Sequence, residues 1–191
     1  MKLETQIEQL SQIGLKLNEG LTVEDLLNSL SREEYESKPF NEVLFAYGIK
    51  VESPPWGRFF CDQVWNFDYE CIDDSGAYVE VVNHFHRLSG KRKTLEHLSD
   101  SIDFDAGRAE LNYTLDGIEK SYSPVIDRDW VDEKVVSKLI SDFSTDTHSF
   151  YGMDNGQATV WFYLTKEQAH AINNLAGNPF GLKKPWWRFW N

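Results

Sequence analysis

The chain has 191 residues, of which 41% are hydrophobic and 26% are charged, and its formal net charge is −12. This length and composition predict a single folded domain and exclude a disordered acidic chain. No apolar run approaches the roughly 20 residues that cross a bilayer, and a field of this sign repels nucleic acid and attracts a basic partner.

The first part of the chain is predicted to be helical. Apolar residues recur at helical spacing over 3–17, and capping-box patterns at 22–25 and 31–34 each predict the start of a helix. A further apolar segment, 40–47, ends at a glycine. Residues 1–50 are therefore expected to form a helical N-terminal cap.

The pattern changes after a turn built on Pro54-Pro55-Trp56-Gly57. Residues 64–72 alternate aromatic and polar side chains, which predicts a half-buried strand, whereas 76–88 carry a helical apolar stripe. Later signals predict a hairpin over 108–125, a helix from Asp132, a hairpin over 149–164 and a last helix ending at Gly177. Together they predict an α+β fold for the core, 59–177, with a mainly antiparallel sheet of about five strands.

The chain is unusually aromatic, with seven tryptophans. Trp56, Trp65, Trp130 and Trp161 stand within element-like segments, so we expect them in the core. The other three, Trp186, Trp187 and Trp190, lie in a basic C-terminal tail, 178–191. Because exposed tryptophans favour aggregation, we expect this tail to fold back over the domain, although recruitment to a membrane or another molecule stays open.

The chain start and the cysteines bear on the compartment. Residues 1–5 contain charged residues where a signal peptide needs an apolar stretch, so we expect a cytoplasmic protein. Cys61 and Cys71 stand ten positions apart without a Cys-x-x-Cys motif, and we expect both to be reduced and buried.

The sequence carries no strong catalytic or metal-binding motif, and we expect neither a metal nor a cofactor. His84 and His86 would point to different sides of a helix. The run from Asp103 to Gly107 resembles part of a calcium loop, but Ala106 stands where a further ligand is needed. A solvated acidic turn is the favoured interpretation of that run.

Several stretches resemble an uncharacterised family of bacterial proteins of similar length: 55–72, continuing through 76–79, then 115–117 and 129–132. The chain also resembles, in class rather than by motif, the immunity proteins of bacterial polymorphic toxin systems, which are small, acidic and cytoplasmic. The second resemblance implies a binding protein that neutralises a toxin. The basic tail departs from that pattern.

These observations favour a binding protein over an enzyme. The predicted partner is a basic toxin or effector domain, with no binding to nucleic acid or membrane, because residues 62–133 hold 17 acidic and only 7 basic residues. The candidate contact residues are Asp73, Asp74, Asp103, Asp105, Asp127 and Asp129, with Trp130 as an apolar anchor.

A metal-assisted hydrolase is the alternative hypothesis. Carboxylate clusters bind divalent cations in such enzymes, so this alternative requires acids such as Asp103, Asp127 and Asp129 to converge on one ion.

Overall fold

A computed structural model describes residues 1–182 of the chain. Within that range the chain is α+β, as predicted. The helices are α1 (Leu3–Ile13), α2 (Val23–Ser29), α3 (Arg32–Ser37), α4 (Asn41–Tyr47), α5 (Ala77–Leu88), α6 (Glu133–Phe143) and α7 (Lys166–Leu175). The strands are β1 (Val64–Asp68), β2 (Leu95–Asp103), β3 (Arg108–Leu115), β4 (Ile118–Tyr122), β5 (His148–Asn155) and β6 (Ala158–Thr165).

The six strands within residues 1–182 are close to the predicted number of about five, and they form two antiparallel sheets of three strands each where one sheet was predicted. The first sheet has the order β1-β6-β5, and the second has the order β2-β3-β4. In the first sheet Val64 pairs with Phe162, and Phe150 pairs with Tyr163. Both predicted hairpins are confirmed; they are β3-β4 and β5-β6.

The first sheet packs against a hydrophobic core on each of its faces. Side chains alternate between the two faces of a strand, so each strand contributes residues to both cores. Along β6, Val160, Phe162 and Leu164 enter one hydrophobic core, whereas Tyr163 enters the other. The first core is closed by the N-terminal helices and α7. The second core contains α5 and α6, which lie between the first and second sheets. The layers are therefore, in order, the N-terminal helices with α7, the first sheet, α5 with α6, and the second sheet.

The N-terminal helices form where the capping patterns predict them. Thr22 with Asp25 and Ser31 with Glu34 form capping boxes at the starts of α2 and α3. The first helix is shorter than the apolar spacing predicted, because Gly14 adopts a left-handed conformation with φ of 96° and ends it after Ile13.

The structure corrects the predictions for two tryptophans. Trp65 and Trp161 are partly buried against the second core. Trp56, predicted to be buried, has 71% of its surface exposed, and Trp130 is also exposed. The prediction for the tail concerns mainly residues 183–191, which lie outside the described residues.

None of the helices between residues 1 and 182 is both long and apolar enough to cross a bilayer.

Candidate functional site

The loop that precedes α5 brings the predicted acidic residues to one end of the molecule. The backbone N–H of Ile72 donates to the carbonyl of Asp129 at 2.8 Å. Three residues later, Ser75 Oγ accepts a hydrogen bond from the N–H of Ile102 at 3.0 Å, at the end of β2. Acids from three separate segments therefore flank this loop. We call Asp73, Asp74, Asp103, Asp105, Asp127 and Asp129, together with Trp130, the acidic face.

Two of these carboxylates take part in local turns. Asp74 Oδ1 accepts a hydrogen bond from the N–H of Ser75 at 2.7 Å. Asp103 Oδ1 accepts from the N–H of Ala106 at 2.8 Å, and its Oδ2 lies 3.7 Å from Arg108 Nη2. The Asp103 to Gly107 run is thus an exposed acidic turn, as the favoured interpretation predicted.

The other four carboxylates have no such structural role. Asp73, Asp105, Asp127 and Asp129 are exposed, and none of their side chains forms a hydrogen bond or ion pair within residues 1–182. By contrast, two neighbouring acids are used by the fold: Asp100 accepts hydrogen bonds at the start of α5, and Asp132 accepts the N–H of Lys134 as the N-cap of α6.

Trp130 is held beside these acids by its backbone. Its N–H donates to the carbonyl of Asp127 at 3.0 Å, and isolated β-bridges link it to Asp127 and Glu70. Its side chain is 36% exposed. The acidic face therefore includes one tryptophan whose backbone is held by these contacts and whose surface is partly accessible.

Cys71 lies near several negatively charged side chains. Burial raises the pKa of its thiol to about 12, and the nearby carboxylates of Asp68, Asp73, Glu80 and Asp129 raise it further. Both cysteines are free; Cys61 is buried as predicted, and Cys71 is only half-buried.

The carboxylates do not assemble into a metal-binding cluster. In the part of the chain that the structure describes, no group of three or more His, Cys, Asp or Glu side chains could hold a metal ion. The hydrolase alternative needs such convergence, so the described residues give it no ligand set. The two histidines of α5 also separate, since His84 stacks on Trp65 while His86 Nε2 lies 2.8 Å from the carbonyl oxygen of Lys93.

A second surface, which the sequence analysis missed, lies beside the edge of β1. We call it the aromatic groove; Trp56, Phe59, Trp65 and His84 line it, together with Asn66 and Lys50. Its volume is about 680 Å³. Gly48, which also lines the groove, packs closely against β1, because a Cβ atom there would lie 2.6 Å from the backbone nitrogen of Asn66.

Two cationic side chains lie against the ring of Phe59 beside the groove, although the chain as a whole is acidic. The guanidinium of Arg87 lies 3.9 Å from the centroid of the Phe59 ring, and Lys50 Nζ lies 5.9 Å from the same centroid. Burial lowers the pKa of His84 to about 4, and the positive charges of Arg87 and Lys50 lower it further. His84 is therefore neutral at pH 7.

The groove adjoins a smaller depression beside α5, and the two share Lys50 and His84. The depression also carries Arg87 and Lys91. The loop before α5, on the acidic face, lies at the start of this helix, whereas Arg87 lies in its last turn. The two surfaces thus lie toward opposite ends of a 12-residue helix, which is about 18 Å long.

Comparison with protein-family models, with curated proteins and with solved structures finds no match.

Proposed function

We propose that the chain is a binding protein whose acidic face covers a basic surface of another protein. The observation that carries this proposal is the group of four exposed carboxylates, those of Asp73, Asp105, Asp127 and Asp129, that the fold does not use. These charges attract a basic surface, which neutralises them in the complex.

The two kinds of side chain on this face have different tasks in the proposed complex. The carboxylates attract a basic partner over a distance and accelerate association, an effect that salt screens. Trp130 supplies apolar area, and tryptophan is among the residues that most often carry a large share of binding energy at protein interfaces.

The kind of protein we infer is an immunity or inhibitor protein that neutralises a basic toxin or effector domain. An inhibitor of this kind needs a rigid surface complementary in charge to its target rather than a catalytic centre. The support is the four unpaired carboxylates of the acidic face and the fixed backbone of Trp130 beside them.

The test is a comparison of three proteins as bait in lysate of the source organism. The first is the wild type, and the second carries Asp73→Asn, Asp127→Asn and Asp129→Asn. The control carries Glu19→Gln, Glu33→Gln and Asp146→Asn, exposed sites outside the acidic face. We expect one basic protein to bind in a stoichiometric amount to the wild type and the control, and not to the second protein.

Kinetics with the purified partner complete the test. Because steering is electrostatic, the association rate constant is expected to fall as NaCl is raised and to fall more for the wild type than for the acidic-face variant. If the variant binds the partner as fast and as tightly as the wild type, or if only neutral and acidic proteins are captured, the proposal is wrong.

A further inference from the structure

One edge of the first sheet has no neighbouring strand in the described part of the chain. β5 pairs with β6 on one side only, in a continuous register. Tyr163 on β6, opposite Phe150, donates its N–H to the carbonyl of Gln63 at 2.9 Å, on the side of β1. Successive residues of an antiparallel strand point their backbone groups alternately to either side. The N–H and C=O groups of Phe150, Gly152 and Asp154 therefore point away from β6.

These backbone groups are unpaired. Within residues 1–182 none of the three N–H groups donates a hydrogen bond, and none of the three carbonyls accepts one. Buried backbone groups without partners are rare in proteins, so these groups are accessible to water. His148 differs, because Thr145 Oγ1 accepts its N–H at 3.1 Å and the Thr145 N–H donates to its carbonyl at 2.9 Å. We call residues 150–154 the β5 edge.

The β5 edge lacks the features that keep sheet edges apart. Exposed edges usually carry lysine, proline or a bulge, and β5 contains none of these. Residues 134–182, which include β5, β6 and α7, hold four acidic and three basic residues, so little of the net charge of −12 lies there. Two copies that meet at this edge therefore repel each other less than their net charge implies.

The β5 edge is complementary to a second copy of itself. Its three open residues are symmetric about Gly152, so an antiparallel copy fits on a two-fold axis at that residue. Gly152 then faces Gly152 of the second copy, and Phe150 faces Asp154 of the second copy. Each such pair exchanges two hydrogen bonds, so the three pairs use every open group. Between them, Tyr151 lies against Met153 of the second copy, in the pairing that brings side chains closest.

The charges at the ends of the edge are complementary as well. Arg92 Nη1 lies 3.1 Å from His148 Nδ1, and Arg92 forms no ion pair within residues 1–182. The Asp154 carboxylate accepts the N–H of Gly156 at 3.0 Å and has no cationic partner within the same range. In the symmetric register Asp154 lies diagonally opposite His148 of the second copy, on the same face of the sheet. Diagonal neighbours are about 7–8 Å apart, within reach of a long side chain such as that of Arg92.

From these features we propose that the β5 edge binds a second copy of this chain. The two first sheets join into one antiparallel sheet of six strands, and each Asp154 forms an ion pair with Arg92 of the other copy. Interfaces carry about one hydrogen bond per 100–200 Å², so the six hydrogen bonds predict about 600–1,200 Å² of buried surface, the size of a weak, reversible complex. The interface uses none of the residues of the acidic face, so the inference does not depend on the proposed protein partner.

The test is the mass of the full chain in solution, measured by sedimentation equilibrium between about 1 μM and about 500 μM. We expect the average mass to rise with concentration from the 22.2 kDa of one chain toward twice that value. The expected Kd is about 1–100 μM. Hydrogen exchange gives a second readout, because the amides of Phe150, Gly152 and Asp154 are expected to exchange more slowly as the dimer forms.

Two charge changes test the ion pair. Asp154→Lys and Arg92→Glu are each expected to weaken the dimer about tenfold or more, because each places like charges close together across the interface. The double variant exchanges the two charges and is expected to restore the Kd to within about threefold of the wild type. Glu119→Lys, the opposite charge at an exposed position of the edge strand β4, is the control and is expected to leave the Kd unchanged.

The inference is overturned if the chain stays monomeric up to about 500 μM. It is also overturned if a dimer forms while the three amides stay unprotected, or if the double variant dimerises no better than the single variants, since the contact then lies elsewhere. Protection of the amides in the monomer would mean that another segment of the chain covers the β5 edge, which would overturn it too.

Discussion

Gln6 is a buried polar residue that ties together the start of the chain. It lies on α1 with none of its surface exposed. Its Nε2 donates to the carbonyls of Met1 at 3.0 Å and Tyr35 at 2.9 Å, and its Oε1 accepts from the N–H of Phe40 at 2.7 Å. One side chain thus satisfies backbone groups of three segments, including Phe40, whose backbone is left-handed with φ of 72°.

We expect Gln6→Ala to lower the free energy of unfolding by about 2–4 kcal/mol, because it leaves the N–H of Phe40 and the carbonyl of Tyr35 buried and unpaired. Gln12→Ala is the matched control, since Gln12 lies on the same helix and is exposed. Its effect is expected to stay within about 0.5 kcal/mol. Urea denaturation measures both; equal losses would contradict the role given to Gln6.

Neither Gln6 nor Trp56 could be placed from the sequence. Glutamine on an amphipathic helix usually faces solvent, and only the arrival of Tyr35 and Phe40 buries Gln6. Tryptophan is usually buried to a large extent, and only the lack of an element over the 54–57 turn exposes Trp56. The Pro54-Pro55-Trp56-Gly57 cluster could have indicated exposure, because such clusters form surface turns.

Among the elements, β2 is the one that the sequence analysis missed, and its register explains why. The half-buried apolar residues are Leu95, Leu98 and Ile102, spaced by three and four as on a helix. The register of the pairing with β3 shifts between Glu96 and Ser99, so β2 has a β-bulge there. His97, within this bulge, has a φ of 51°. The extra residue breaks the alternation by which a strand is recognised.

The convergence of the acidic face also needed the fold. The sequence supplied its six acids, but the hydrogen bonds from Ile72 to Asp129 and from Ile102 to Ser75 join segments far apart in the chain. Pairings of this kind depend on how the sheets and helices pack. Local sequence patterns carry no information about that packing. The hairpins and capping boxes were predictable because a few adjacent residues determine them.

A polar cluster attaches the second sheet to α6. Asp142 accepts hydrogen bonds from Tyr113 Oη at 2.7 Å, Tyr122 Oη at 2.6 Å and Lys120 Nζ at 2.7 Å. Burial disfavours the charged carboxylate, but the hydrogen bonds from Lys120 and the two tyrosines outweigh burial and hold the pKa of Asp142 below its usual value. The charged form therefore stabilises the folded state.

We expect Asp142→Asn to lower the free energy of unfolding at pH 7 by about 2 kcal/mol, since hydrogen bonds to a charged group are lost. Because the pKa in the folded state is depressed, this stabilisation is complete above the usual carboxyl pKa and disappears as pH falls through the lower, folded-state value. The difference from the wild type is therefore expected to shrink below about pH 4.

Urea denaturation between pH 7 and pH 3.5 measures this difference, and Asp146→Asn, at an exposed position just beyond α6, is the control. A difference that does not depend on pH would show that the charge of Asp142 does not stabilise the fold.

At the scale of the whole molecule, the net charge of −12 is unevenly distributed and opposes folding where the acids cluster. At an ionic strength of 0.1 M, salt largely screens the repulsion between exposed charges that lie more than about 10 Å apart. We expect the Tm to rise when NaCl is increased from 20 mM to 300 mM. The rise is about 2–4 °C for each 1 kcal/mol by which screening increases the free energy of unfolding.

Calorimetry on the two triple variants described above separates clustering from net charge, because both remove three negative charges. The variant at Asp73, Asp127 and Asp129 is expected to lose more of the salt response than the variant at Glu19, Glu33 and Asp146. Identical salt responses would mean that net charge alone, and not the acidic face, sets the repulsion.

The pairing of β1 with β6 has a consequence for how the chain folds during its synthesis. The first core takes Val160, Phe162 and Ile172 from the C-terminal part of the chain, so α1 to α4 cannot complete it alone. Ribosomes add about 5–20 residues per second, so several seconds pass between the synthesis of β1 and that of its partner. During that interval the nascent helices expose apolar surface. The fold is therefore completed only when nearly the whole chain has been synthesised, and until then the exposed apolar surface can associate with other chains.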